Sequence, residues 1–522
     1  MSSNPASTMQ RKSLPIGIQT FSEIRCNNHY YVDKSHLAAK LAKEAKHYFL
    51  SRPRRFGKSL FLDTLKELFE GNEPLFAGLA AHDQWDWSVK YPVLRFSFGG
   101  ENFRETQRLA DTLDAQLRLF EEQYQLPPQV DSISGRFAHL IVKLHQQAGQ
   151  PVVVLIDEYD KPILDALLYP EVARANRDFL RGFYGNIKDY DAHIKFSFLT
   201  GVSNFSKVSL FSGLNNLNDI TLDKRYSTVC GYTDNDLDSV FSPELQGLDR
   251  DQIRSWYNGY HWLGEGVYNP FDILQLFDKR EFKSYWFETG TPTFLLDLLF
   301  QRQVPSLQLG EMISSSSMLS SFDVDDITIE ALLFQTGYLT IHKEENLGGQ
   351  YFYTLGYPNR EVYQSLNESL LSVLVKDKSK QAVQSLQLYR LLEANDFEGL
   401  KRLFHAFFAS IPYHWYSNND IQNYEGYYAS VFYSYFASLG LKVTLEDITN
   451  LGRIDMTLQF NGQVYIFEFK VVEMAPEGNA LQQIKDRAYA DKYQGLQQPI
   501  HLLGVEFSKA SRNIVSFEVE HL

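Results

Sequence analysis

Lys46–Gly71 reads KHYFLSRPRRFGKSLFLDTLKELFEG, and its organisation decides how the first half of the chain is understood. His47–Leu50 is a short apolar run. A loop follows that ends on Gly57-Lys58-Ser59, and after it Phe61, Leu65, Leu68 and Phe69 share one face at helical spacing. Strand, loop and helix in this order are what a phosphate-binding loop requires. The helix N-terminus offers free N–H groups and partial positive charge to a phosphate. Lys58 is then expected to reach the β- and γ-phosphates, and Ser59 to place its hydroxyl on Mg²⁺. The first half of the loop departs from the common pattern. Arg52 stands where a glycine normally opens it, and Pro53 contributes no N–H. Glycine would accept backbone angles that Arg52 tolerates poorly, so a different loop shape is expected. Arg52, Arg54 and Arg55 crowd the turn, and arginine suits bidentate phosphate contact. They are candidates to replace the lost amide contacts.

Further short apolar runs, Val93–Phe98, Val152–Ile156 and Ile194–Leu199, alternate with helical patterns from Phe21 to about Ile220. Continuous apolar strands between helices predict a parallel sheet covered on both faces, hence an α/β fold. The run Val152–Ile156 ends on Asp157 and Glu158. An aspartate at that end of a parallel strand can hold the Mg²⁺ that bridges the phosphates, and the glutamate beside it can orient or deprotonate the attacking water. Solvated acids capping a strand would look the same in isolation. Their place downstream of a phosphate loop, in the expected order, favours a nucleotide site. Thr200, Ser203 and Asn204 follow the next strand. They are candidates to sense the γ-phosphate, or simply loop-turn residues.

The chain has 522 residues, which a length prior divides into about three domains. Hydrophobic residues make up 44% and charged residues 22%, a soluble globular composition. The formal net charge of −14 excludes polyanion binding by the surface as a whole, so any nucleic-acid contact must use a local groove. Cys26 and Cys230 form neither a metal cluster nor a disulfide framework, and a reducing, cytoplasmic setting is expected. The N-terminus lacks an apolar signal core, and no apolar run has membrane-spanning length. Residues 1–18 read as a flexible leader, 19–230 as the phosphate-loop domain, 231–410 as a helical region and 411–522 as a separate α/β unit. A winged-helix unit is expected near 320–375, preceded by a loop at the serine run Ser314–Ser317. The basic run KDKSK at 376–380 could touch backbone phosphate, though a solvated charged face explains it as well.

The last unit contains GRIDMTLQFNGQVYIFEFKV, residues 452–471. Asn461-Gly462 is a strong type I′ hairpin signal. With a two-residue loop, Phe460 pairs with Gln463, Leu458 faces Tyr465, Met456 faces Phe467 and Ile454 faces Phe469, an apolar face that supports the register. Asp455 then falls opposite Glu468 on the other face, with Lys470 two residues on. Facing carboxylates repel, and a divalent cation would resolve the conflict. Two acids and a lysine on adjoining strands suit metal-assisted phosphodiester hydrolysis. A Glu468–Lys470 salt bridge facing solvent is the plainer alternative.

Two resemblances extend these readings. YYVDKS (30–35), SRPRRFGKSL, VVVLIDEYDKP, FLTGVSNFSKVSLFSGLNNL and WYNGYHW resemble the AAA-ATPase-like family of bacterial proteins over about the first 290 residues. In that family the RPRRFGKS form of the loop is usual. The resemblance implies an ATP-binding core with Gly57, Lys58, Ser59 and Asp157 as binding positions and Glu158 as the catalytic acid. It assigns no arginine finger, for which Arg225 is only a guess. The spacing Asp-x(12)-Glu-x-Lys resembles the PD-(D/E)XK nuclease superfamily over about the last hundred residues, with Ile454 where the superfamily name has proline. This resemblance implies Asp455, Glu468 and Lys470 as catalytic residues with Mg²⁺ or Mn²⁺, and adds Glu425 as a helical acid and Gln483 and Tyr489 beside the site. Together they imply an ATP-regulated nuclease acting on nucleic acid, DNA ahead of RNA, with room for a homo-oligomer. The alternative is an ATP-switched signalling or interaction protein whose nuclease fold only binds a partner.

Overall fold

The computed structural model describes residues 11–204, 216–288, 295–296, 299, 309–319, 322–323, 326–374, 378–410 and 425–522. The chain forms two compact units, 1–290 with 312–359 and 291–311 with 360–522.

The first unit is built on a five-stranded sheet of β1 (His47–Ser51), β2 (Val93–Ser97), β3 (Val152–Asp157), β4 (Ile194–Gly201) and β5 (Asn218–Asp219). Its order is β2-β3-β4-β1-β5 and every pairing is parallel, as the apolar runs predict. Every residue of β1 and β3 is buried, which is why their sequences show no polar alternation. Phe61 and Phe69 of the helix Lys58–Phe69 pack on Phe198 and Phe196 of β4. Phe96 of β2 packs on Phe120, Phe137 and Phe183 from three other helices. β4 therefore separates the phosphate-loop strand β1 from the acid-tipped strand β3.

Residues 11–18 are anchored rather than loose. Ser13 bridges His29, Leu14 and Ile16 pack on the cluster around Tyr30, and the Arg11 guanidinium donates to the Pro243 carbonyl at 3.2 Å. The serine run is likewise not a loop. β6 (Met312–Ser315) pairs with a later strand, and Ser316–Leu319 forms a helical turn. After a short pair, β7 (Phe322–Asp323) with β8 (Asp326–Ile327), β9 (Thr340–Leu347) and β10 (Gln350–Gly356) complete a sheet of order β6-β10-β9. The helix Ile329–Thr336, β9, β10 and the helix Arg360–Leu374 follow in the order a winged helix needs. Their last helix belongs to the second unit, because it packs on the helix Glu425–Ser438. The stretch 231–410 is thus shared between the units, 231–290 and 312–359 with the first and 291–311 and 360–410 with the second. Residues 376–377 lie outside the described residues, as do the side chains of 378–380.

The second unit has a five-stranded sheet of β11 (Lys442–Ile448), β12 (Arg453–Phe460), β13 (Gln463–Val472), β14 (Ile500–Ser508) and β15 (Asn513–His521), in that order. Only β13 and β14 pair in parallel, and the helix Asn479–Asp486 lies in their crossover. One face buries Phe432 of the helix Glu425–Ser438 against Phe467, Phe469 and Phe507. The other holds Ile484 of the crossover helix with Val464, Ile466 and Leu502. Among the described residues no helix is long and apolar enough to cross a membrane.

Candidate functional site

The phosphate loop leaves β1 at Ser51 and enters the helix at Lys58. Its left-handed residues are Arg55 (φ 69°) and Gly57 (φ 90°), while Arg52 has ordinary angles. The missing glycine therefore imposes no backbone strain at position 52. Nor does Arg52 turn toward a phosphate. Its side chain is fully buried and donates to the carbonyls of Ser51 at 2.8 Å, Thr221 at 2.9 Å and Tyr226 at 3.3 Å. The guanidinium stacks 4.1 Å from the centroid of Trp262. Burial lowers its pKa to about 10. Arg52 is a structural tie between the loop and the segment after β5. Arg54 and Arg55 are exposed. The Arg55 guanidinium stands 5.2 Å over the Phe271 ring, and the Arg54 carbonyl accepts from the Trp286 indole at 3.1 Å. Phe56, buried, packs edge-on against Tyr260 and Trp262. Tyr260 and Trp262 of WYNGYHW, read only as part of a family pattern, thus hold the loop through Phe56 and Arg52.

Lys58 is buried and folds back on its own loop, donating to the carbonyls of Arg52 and Pro53 at 2.9 Å each. Burial lowers its pKa, and Asp157 opposes that shift. Ser59, half-buried, sits one residue into the helix. Asp157 ends β3, buried, and its Oδ1 has no hydrogen-bond partner. Glu158 follows in the left-handed region at φ 53°. Its carboxyl pKa is raised by burial, with Lys58 pulling it back. Arg95 of β2, which the sequence reading passed over, lies with a guanidinium nitrogen 4.0 Å from Asp157 Oδ2 and is paired with Asp63. Its signal was a lone cation inside an apolar strand.

The expected γ-phosphate sensors are committed elsewhere. Thr200 donates to the Leu50 carbonyl at 2.9 Å, Ser203 to Asp160 Oδ2 at 2.5 Å, and Asn204 to Asp219 Oδ2 at 2.8 Å. Asp160 also accepts the Val202 and Ser203 N–H groups and so shapes the loop after β4. Arg225 is exposed and paired with Asp223 at 2.6 Å.

In the second unit the hairpin turns through Asn461 (φ 48°) and Gly462 (φ 70°), as a type I′ turn requires. The pairing runs from Phe460↔Gln463 to Met456↔Phe467 in the expected register and stops there. Asp455 and Glu468 are therefore not ladder partners. Asp455 Oδ2 accepts the Phe469 N–H at 2.8 Å, so a side chain takes over where the backbone pairing ends. Beyond the last β12–β13 pair, Ile454, still paired with Asp447 of β11, packs with Val464, Ile466 and Ile484 instead of joining Met456 and Leu458. Glu468 is fully buried. Its Oε1 accepts from Lys470 Nζ at 3.2 Å and from the Gln483 amide, and its Oε2 has no partner. Burial, and then the Asp455 charge, raise its pKa to about 7. Tyr489 donates to the Arg453 carbonyl at 2.7 Å, a backbone anchor. Glu425 begins its helix, and its side chain lies outside the described residues. Glu506, also unforeseen, is in register with Lys470 and accepts the N–H groups of Glu477 and Asn479 at 2.7 Å each.

Asp157 Oδ1 and Glu468 Oε2 are buried carboxylate oxygens with no donor, an unfavourable state unless a cation or water joins them. Among the described residues no group of three or more His, Cys, Asp or Glu could hold a metal. Each site would thus offer one or two carboxylates, which suits Mg²⁺ because it keeps several of its waters.

Residues 15–211 match the family described as "Predicted AAA-ATPase", and residues 423–517 match the PD-(D/E)XK nuclease superfamily. A protein of Azotobacter chroococcum mcd 1, described as "Uncharacterized protein in vnfD 5'region", is 60% identical over 515 residues, covering 98% of this chain and 100% of that protein.

Proposed function

Since the chain belongs to the predicted AAA-ATPase family and carries a C-terminal PD-(D/E)XK nuclease superfamily domain, we propose that it is a nucleotide-regulated, metal-dependent nuclease. ATP binds with its phosphates on the N-terminus of the helix Lys58–Phe69, between Gly57, Lys58 and Ser59 on one side and Asp157 on the other. Arg54 and Arg55, exposed at the turn, are available to the phosphates, whereas Arg52 is not. To engage them, Lys58 releases the carbonyls of Arg52 and Pro53. Glu158 accepts a proton from the attacking water, and its raised pKa makes it a stronger base than an exposed carboxylate. Ser59 and Asp157 would hold Mg²⁺.

At the C-terminal unit Asp455 and Glu468 would hold Mg²⁺ or Mn²⁺. Such an ion would supply positive charge for the scissile phosphate and an acidified water. Lys470 orients the water and stabilises developing negative charge. Glu425, which begins its helix, would add a further acid, and Gln483 fixes the Glu468 carboxylate. The substrate is nucleic acid, DNA ahead of RNA. The free thiols of Cys26 and Cys230 suit a cytoplasmic setting, and a homo-oligomer is compatible with the fold.

The observation that carries this reading is Glu468. A wholly buried carboxylate with one oxygen orphaned and a lysine at 3.2 Å is costly for a bland binding module. The test is cleavage of single- and double-stranded DNA and RNA with Mg²⁺, with and without ATP. Wild type is expected to cleave, Asp455→Ala to lose cleavage, and Lys58→Ala to lose the ATP dependence. Equal results for wild type and Asp455→Ala would sink the nuclease assignment and favour the non-catalytic binding module.

A further inference from the structure

A cavity of about 360 Å³ opens directly beside the phosphate loop, on the β5 flank of β1. Its walls begin with Ser51, Arg52 and Pro53 and continue through Asn204, Asp219, Thr221, Trp262 and Gln335. We propose that this cavity receives the nucleoside end of the nucleotide whose phosphates sit on the helix Lys58–Phe69. The inference rests on the nucleotide-site reading above and adds where the base and ribose go.

Three observations carry it. The first is position. Three of the lining residues, Ser51, Arg52 and Pro53, lead into the phosphate loop, so a ligand held at Lys58 has its other end beside them. The second is charge. Among the lining residues the cation is Arg52, and its guanidinium is spent on the carbonyls of Ser51, Thr221 and Tyr226. Asp219 and Asp223 line the same space. Asp223 is paired with Arg225 at 2.6 Å, so the acid left in the lining is Asp219, a carboxylate that suits a ligand part rich in donors, such as vicinal hydroxyls and an exocyclic amine. The third is construction. Gln335 is buried, donates to the Leu319 carbonyl at 2.8 Å and accepts the Asn204 N–H at 2.9 Å. Asn204 in turn donates to Asp219 Oδ2 at 2.8 Å, and Asp219 Oδ1 accepts the Thr221 N–H at 2.9 Å. This chain of bonds fixes the Asp219 carboxylate, while Leu222, Leu319 and Phe334 supply the apolar wall. The volume lies at the small end of the range for ligand pockets, the size of a nucleoside rather than a peptide.

The experiment compares ATP with inorganic tripolyphosphate, each with Mg²⁺, by calorimetry on the full chain. Wild type is expected to bind ATP at least tenfold more tightly. Asp219→Asn and the rim variant Ser316→Trp, which fills the cavity, are each expected to weaken ATP at least tenfold and leave tripolyphosphate unchanged. Lys58→Ala is expected to weaken both ligands. The proposal is overturned if wild type binds the two ligands equally, or if either cavity variant leaves ATP unchanged or weakens both ligands alike. If Lys58→Ala alters neither ligand, the nucleotide site itself is misplaced, and the inference falls with it for a different reason. Matching melting temperatures for Ser316→Trp and wild type exclude misfolding as the cause.

Discussion

The guanidinium of Arg52 lies 4.1 Å from the centroid of the Trp262 ring and donates to three backbone carbonyls on and beyond its own strand. This residue occupies the position where a common phosphate loop has glycine, yet the two left-handed residues of the loop are Arg55 and Gly57. Restoring the common pattern is therefore expected to harm the protein. Arg52→Gly leaves the Thr221 and Tyr226 carbonyls without their donor, removes a desolvated cation–π contact and opens a void. The loss should be about 3 kcal/mol or more. Thermal unfolding followed by calorimetry should show the transition of the N-terminal unit lowered by on the order of 5 °C or more. An unchanged or higher transition would contradict the structural role.

Glu158 sits at φ 53°, a conformation that costs a non-glycine residue about 1 kcal/mol. Strain at the position proposed to act on water separates stability from activity. Glu158→Gly should raise stability by up to about 1 kcal/mol and abolish ATP turnover. Glu158→Gln should abolish turnover without the gain. Denaturant titration and phosphate release on the two variants measure both quantities. Turnover retained by Glu158→Gln would remove this residue from the mechanism.

How far these sites were legible depends on distance along the chain. Gly57-Lys58-Ser59 and Asp157 are read from local spacing, and Asn461-Gly462 fixes the hairpin register because one turn type dictates it. The role of Arg52 was hidden because Tyr226, 174 residues on, and Trp262 are its partners. The candidate sensors Thr200, Ser203 and Asn204 have the right chemistry at the end of the right strand, but other acceptors, the Leu50 carbonyl, Asp160 and Asp219, have already claimed them. Period-2 arithmetic placed Asp455 opposite Glu468. It could not foresee that the Asp455 carboxylate would itself accept the Phe469 N–H and that the ladder would end two pairs early.

The raised Glu468 pKa makes metal affinity and metal-free stability depend on pH in opposite senses. A carboxyl with an ordinary pKa near 4.5 and a folded value of about 7 holds its proton more tightly in the fold than in the unfolded chain. Stability is therefore lost as pH rises from about 4.5 to about 7, by at most about 3 kcal/mol, and is flat above. Glu468→Gln should remove this slope and be more stable than wild type at pH 8 without metal. A cation must displace the same proton, so Mn²⁺ affinity in wild type should rise about tenfold per pH unit up to about 7 and then level off. Denaturant melts across pH and Mn²⁺ titrations read the two slopes. A pH-independent Mn²⁺ affinity between 5 and 7 would refute the linkage.

Glu506 reaches the same carboxylate at one remove. Buried on β14 in register with Lys470, it accepts the N–H groups of Glu477 and Asn479 and so pins the start of the helix Asn479–Asp486, whose Gln483 holds Glu468 Oε1. Gly504 lets that helix approach closely, since a Cβ there would lie 2.3 Å from the Leu481 nitrogen. Glutamine at 506 keeps one acceptor but turns an amide N–H₂ toward one of those N–H groups, which loosens the helix start. Glu506→Gln should therefore weaken Mn²⁺ binding about tenfold, the scale of losing an outer support of a metal ligand. Hydrogen exchange should speed up over residues 477–484 while the helix Glu425–Ser438 and strand β15 keep their protection. Uniformly faster exchange through the whole unit would mean that Glu506 only stabilises the fold. Unchanged Mn²⁺ affinity with faster local exchange would mean that Gln483 does not position Glu468.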